Sequence, residues 1–155
     1  MPSCSRLRLT IALSLTVLFS ASCEPGDVLP ADDFPPVLGV AAAEDLDPAV
    51  GVVEYSLRVS ATDLELVEGL TTGGWTFNGM SPGPLLQARV GDLIKVQVTN
   101  DLDEPTTIHW HGMRVPVEMD GVVWGDLQAI EPGETFTYEF VAPDAGSYWY
   151  HPQNA

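Results

Sequence analysis

Leu93-Ile94-Lys95-Val96-Gln97-Val98-Thr99 decides the fold of this chain. Ile94, Val96 and Val98 fall on one side of an extended backbone and Lys95, Gln97 and Thr99 on the other, the period-two pattern of a strand with one face in a core. Thr135 to Val141 repeats it: Phe136, Tyr138 and Phe140 alternate with Thr137 and Glu139, behind the turn residues Glu131-Pro132-Gly133-Glu134. Upstream, Val52 to Ser60 and Leu64 to Leu70 read as two strands, and Trp75-Thr76-Phe77 as a third ahead of Asn78-Gly79. Leu85 to Val90 reads as a fourth, introduced by Pro82-Gly83-Pro84. Gly146 to His151 is the last strand-like run. Seven or eight short strands in about 105 residues, punctuated by glycine and proline, predict an all-β sandwich of Greek-key type. A domain of this size buries roughly two-thirds of its unfolded surface, so a core is feasible without disulfides.

The 155 residues leave room for one such domain, from residue 51 to 155, after the N-terminal segments are set aside. Residues 1–22 read as an export signal: Arg6 and Arg8 give a positive start, Leu9 to Phe19 an apolar run too short to span a bilayer comfortably, and Ser20, Ala21 and Ser22 a small-residue end. With Cys23 that end resembles a bacterial lipobox, in which the cysteine is acylated. Export to the periplasm or the cell surface of a bacterium is therefore expected, with membrane attachment only through a lipid on Cys23. Residues 23–50 hold five prolines and many acids without helical or strand periodicity, and read as an acidic, proline-rich tether. Cys4 lies in the leader, so no internal disulfide and no thiolate metal ligand is expected within the domain. The formal charge is −16, from 22 acidic and 6 basic residues. Such acidity excludes nucleic acid as a partner, and the scattered carboxylates read as a solvated surface.

All three histidines sit at two strand-associated positions. Residues two apart on a strand share a face and stand roughly 6–7 Å apart, so His109 and His111 point the same way. Paired imidazoles suit copper or zinc. The alternative is two polar side chains on the solvent face of an edge strand, with Trp110 buried between them. Gly112 follows at once, and His151 ends another strand among Tyr148, Trp149 and Tyr150. Met113 and Met119 are soft enough for Cu(I), but two methionines are too few for a storage segment and read as packing, as does Trp110.

The order of motifs narrows the choice. Phe77-Asn78-Gly79, Pro82-Gly83-Pro84, Val90-Gly91-Asp92, His109-Trp110-His111-Gly112, Asp120-Gly121, Gln128, Pro132-Gly133-Glu134, Tyr138-Glu139-Phe140 and Gly146-Ser147-Tyr148-Trp149-Tyr150-His151-Pro152 resemble, in sequence order, the first domain of multicopper oxidases, a group that includes laccases and copper-efflux oxidases. The resemblance covers residues 74–152. It implies a cupredoxin-like fold, copper as cofactor, and a parent reaction in which phenols, amines or metal ions are oxidised while dioxygen is reduced to water. Carried over residue by residue, it implies that His109 is a type 2 copper ligand, that His111 and His151 are type 3 copper ligands, and that Asp120 is an acid near the copper centre that helps deliver protons. A turn aspartate before Gly121 is the plainer reading of Asp120.

The pattern also departs from the family. Its second motif is His-x-His, whereas Gln153 follows His151-Pro152 here, and an amide is a poor substitute for imidazole. The family's reaction uses eight histidines around three coppers and a type 1 cysteine, so this chain is expected to be an incomplete cupredoxin domain without its last strand. It would then be inactive without further oxidase domains or other subunits. The competing expectation is an exported lipoprotein that holds copper through His109, His111 and His151 without turnover.

Overall fold

A computed structural model of the chain describes residues 40–122 and 129–153. Residues 1–22, Cys23, most of the tether and Gln128 lie outside the described residues. The chain runs β1 (Val52–Val67), β2 (Leu70–Phe77), β3 (Leu93–Asn100), β4 (Thr107–His111), a 3-10 turn (Val117–Met119), β5 (Thr135–Val141) and β6 (Trp149–Gln153). One sheet has the order β2-β1-β3-β5, and β4 pairs with β6 in a second. Within the larger sheet β1 and β3 are parallel, while β1–β2 and β3–β5 are antiparallel. The all-β, cupredoxin-like expectation holds.

The alternation in β3 is borne out: Val96 and Val98 are fully buried and Ile94 nearly so. In β5, Tyr138 and Phe140 are buried, but Phe136, expected beside them, is 39% exposed at the start of the strand, with its ring edge-on to Tyr138. Three boundaries differ from expectation. Val52 to Ser60 and Leu64 to Leu70 are joined in one strand, because Ala61, Thr62 and Asp63 pair with Trp75, Gly74 and Gly73 of β2, and the chain turns only at Glu68-Gly69. Leu85 to Val90 forms no strand beyond a single bridge from Leu85 to Ala42. There the Tyr55 hydroxyl substitutes for a neighbouring strand: it donates to the Gln87 carbonyl and accepts from the Gln87 amide at 3.2 Å. The last strand begins at Trp149 and reaches Gln153.

The core lies between the sheets. Leu57, Val59, Val96 and Val98 from the larger sheet and Ile108 from β4 are fully buried, each contributing roughly 1.5–3 kcal/mol of apolar burial. Trp110 packs edge-on against Tyr138 and Phe140, with ring centroids 5.5 and 5.1 Å apart. A polar bond crosses this core: the Ile108 amide donates to the Tyr138 hydroxyl at 2.8 Å. Buried Asn100 closes β3, donating from Nδ2 to the carbonyls of Ile130 (2.8 Å) and Glu104 (2.9 Å) and accepting the Leu102 amide at Oδ1 (2.9 Å). Residues 40–50, the end of the segment read as a tether, bond to the domain: Asp45 Oδ1 accepts the Glu54 amide at 2.8 Å, and the Ala43 amide donates to the Leu85 carbonyl at 2.9 Å.

Candidate metal centre

Strand pairing completes the centre by bringing His151 to the neighbouring His109 and His111. β4 and β6 are antiparallel with Thr107 opposite Gln153, His109 opposite His151 and His111 opposite Trp149. Since alternate residues share a face, these three pairs line one side of the small sheet. Ile108 and Trp110 lie on its other side and are buried in the core. Buried residues between the histidines therefore fix the orientation of the histidines themselves.

The three imidazoles converge. One ring nitrogen from each of His109, His111 and His151 lies within 4.8 Å of the others. Ring centroids are 5.7 Å apart for His109–His111, 5.3 Å for His109–His151 and 5.7 Å for His111–His151. His109 and His151 are half-buried and His111 is exposed. Among the described residues this is the one group of three or more potential metal donors.

Hydrogen bonds set the ring states. His109 Nδ1 is 2.8 Å from the Asp120 carbonyl. A carbonyl only accepts, so Nδ1 carries a proton, and in the neutral ring the lone pair is then on Nε2. His151 Nδ1 donates in the same way to the Pro152 carbonyl at 3.0 Å, so its neutral ring likewise presents Nε2. Orientation of a ligating imidazole through its second nitrogen is the usual support for a metal site. His111 is held by stacking, 4.6 Å from the Trp149 indole at an interplanar angle of 28°. Three converging imidazoles, two of them held through Nδ1, fit Cu(II).

Asp120, singled out from the sequence, is brought to the cluster in two ways. Besides its carbonyl, its carboxylate Oδ1 lies 3.4 Å from His109 Nδ1. It follows the 3-10 turn, and Gly121 comes next with φ +74°, where an added β-carbon would overlap the Ile108 carbonyl. Only glycine lets the loop press so close to β4. Gln153 lies on β6 two residues past His151, opposite Thr107. Met113 and Met119 are half-buried against the core, and Met119 Sδ accepts the Glu139 amide at 3.4 Å, so both methionines pack as expected.

Several supporting residues escaped the sequence reading. Thr107 is buried, and its hydroxyl donates to the carbonyl of Gly121, with the Gln153 carbonyl also in reach at 3.2 Å. Its place two residues before His109 on the same face was the available signal. Tyr150 donates to the Pro84 carbonyl at 2.8 Å and is held above the usual phenol range by burial. Arg114 donates through Nε and Nη2 to the Asp144 carboxylate at 2.7–2.9 Å, joining the loop after β4 to the one before β6. That hydrogen-bonded carboxylate raises the guanidinium pKa.

Comparison with known proteins agrees with this geometry. The family described as multicopper oxidase matches residues 58–155. Copper resistance protein A homolog of Pseudomonas syringae pv. tomato is 41% identical over 98 residues, covering 63% of this chain and 16% of that protein. Multicopper oxidase MmcO of Mycobacterium tuberculosis is 49% identical over 77 residues, covering 50% of this chain and 15% of that protein. In structure, a multicopper oxidase from Campylobacter jejuni, titled a metallo-oxidase, superposes with a TM-score of 0.66 at 34% identity. It covers 74% of this chain and 24% of its own. The multi-copper oxidase of Pseudomonas thermotolerans gives a TM-score of 0.62 at 48% identity, over 65% of this chain and 25% of its own. This chain thus spans a quarter or less of each of these relatives.

Proposed function

The chain belongs to the multicopper oxidase family, and from that premise we propose that His109, His111 and His151 are the copper-holding portion of an oxidase site whose other ligands lie on further domains or subunits. The observation that carries the reading is the commitment of Nδ1 in both His109 and His151 to main-chain carbonyls, which leaves Nε2 of each free to ligate. Within that reading His109 takes the type 2 position and His111 and His151 take type 3 positions. Copper held there would supply the redox chemistry by which electrons given up by a phenol, amine or metal ion reduce dioxygen to water. The protein's own share is to present neutral imidazoles at fixed spacing and to keep them from turning. Asp120 is the proton-handling group, its carboxylate being half-buried and 3.4 Å from the imidazole it orients.

Delivery to an extracytoplasmic compartment is supported by the leader-like residues 1–22, and lipid attachment at Cys23 by Ser20-Ala21-Ser22 before it. The test is titration of the purified chain with Cu(II), followed by electron paramagnetic resonance. The wild-type chain is expected to bind with defined stoichiometry and a nitrogen-rich spectrum, and His109→Ala to lose that signal. A wild-type chain with no saturable copper signal, or a His109→Ala chain that binds like wild type, would defeat the proposal.

A further inference from the structure

The nearest acceptor to His109 Nδ1 is a main-chain carbonyl, at 2.8 Å, closer than the Asp120 carboxylate at 3.4 Å. A main-chain acceptor survives substitution of its own side chain, so what matters is where the loop is held. The Asp120 amide bonds only weakly back into the 3-10 turn, at 3.3 Å from the Val117 carbonyl. On the other side, Gly121 lies against the Ile108 carbonyl, and its own carbonyl accepts from the Thr107 hydroxyl. Thr107 is 3% exposed, and the same hydroxyl is 3.2 Å from the Gln153 carbonyl of β6. One buried hydroxyl therefore touches the loop carrying Asp120 and the strand carrying His151, from a position two residues before His109.

We propose that Thr107 is a positioning residue: its hydroxyl clamps Gly121 so that the Asp120 carbonyl fixes the His109 imidazole in the Nδ1–H tautomer, with Nε2 available to a metal. The inference deepens the reading of His109 as a copper ligand and rests on it. Valine at position 107 would match threonine in shape and leave both carbonyls without the donor. The loop would then be free to drift from β4, and His109 would return toward the Nε2–H form that free histidine favours. Outer partners of this kind change metal affinity by about 10–100-fold.

The experiment compares the wild-type chain with Thr107→Val and Thr107→Ser. Imidazole nitrogen-15 spectra of the metal-free chain at mildly alkaline pH, where imidazole is neutral, read the tautomer without any metal. Competition titration with Cu(II) reads the affinity. The wild type and Thr107→Ser are expected to hold His109 as Nδ1–H and to bind alike, whereas Thr107→Val mixes the tautomers and binds about 10-fold or more weakly. An unchanged tautomer in Thr107→Val overturns the inference, as does a Thr107→Ser chain as impaired as Thr107→Val. Should Thr107→Val not fold, the wild type decides alone: His109 found as Nε2–H overturns the clamp. A chain whose tautomer depends on Thr107 but which binds no copper supports the clamp and refutes the copper assignment, so the two failures are distinguishable.

Discussion

Tyr138→Phe isolates a hydrogen bond that crosses the core. Tyr138 stands on β5 and is 2% exposed, and its hydroxyl accepts the amide of fully buried Ile108, the neighbour of His109 on β4. Phenylalanine keeps the ring contacts with Trp110 and Phe136 but strands the Ile108 amide without an acceptor, a cost of about 1–3 kcal/mol. For a domain of this size each kcal/mol is worth about 4 °C, so Tm falls by about 4–12 °C. A second signature comes from pH. Burial pushes the Tyr138 phenol up to about 12, against about 10 in an unfolded chain. Below pH of about 10 both states keep the proton and the full stabilisation is present. Between about 10 and 12 the unfolded state ionises first, and stability drains away at roughly 1.4 kcal/mol per pH unit. The variant lacks this slope, while the buried Tyr55 and the half-buried Tyr150 are common to both proteins. Urea denaturation at pH 8 and pH 11 should therefore show the gap between wild type and Tyr138→Phe narrowing by about 1.4 kcal/mol. Equal stabilities at pH 8, or a gap that does not narrow by pH 11, would refute the reasoning.

Gly121→Ala should destabilise the chain by more than about 1–2 kcal/mol, the cost of a left-handed backbone for a side-chain-bearing residue, because its β-carbon also overlaps the Ile108 carbonyl. Urea denaturation checks this, and wild-type stability would mean that the loop sits elsewhere. Cu(II) at about 100 times its dissociation constant should stabilise the wild type by about 2.7 kcal/mol in thermal melts. That gain should be reversed by a chelator and be missing in His109→Ala; a wild-type melt indifferent to copper contradicts the site.

The parts of the fold governed by local alternation were legible in the sequence, and the parts governed by partners were not. β3 could be read because Ile94, Val96 and Val98 face a continuous core on one side. β1 looked like two strands because its outer half pairs only with β2 and no core covers it, leaving Ala61 and Asp63 exposed and their alternation silent. Leu85 to Val90 looked like a strand because its side chains suit one; the side-chain hydroxyl of Tyr55 that occupies the Gln87 backbone leaves no trace in the local pattern. At the histidine cluster, the shared face of His109 and His111 follows from spacing alone. The placement of His151 against His109 depends on the β4–β6 register, which no spacing encodes. Thr107 escaped notice because a strand threonine is ordinary; its distinction is the pair of carbonyls around its hydroxyl.

The β4–β6 pairing also imposes an order in time. His109 and His111 arrive together on one short segment, but the third imidazole follows 42 residues later (151 minus 109), after the whole of β5. A pairing so distant closes late, because the chain entropy of the intervening loop is lost before the contact forms. A nascent or unfolded chain thus offers two loosely held imidazoles, and the three-nitrogen grip exists only once β6 has docked. Affinity for the metal is in this way tied to completion of folding. A chain still unfolded therefore keeps little hold on any metal it meets.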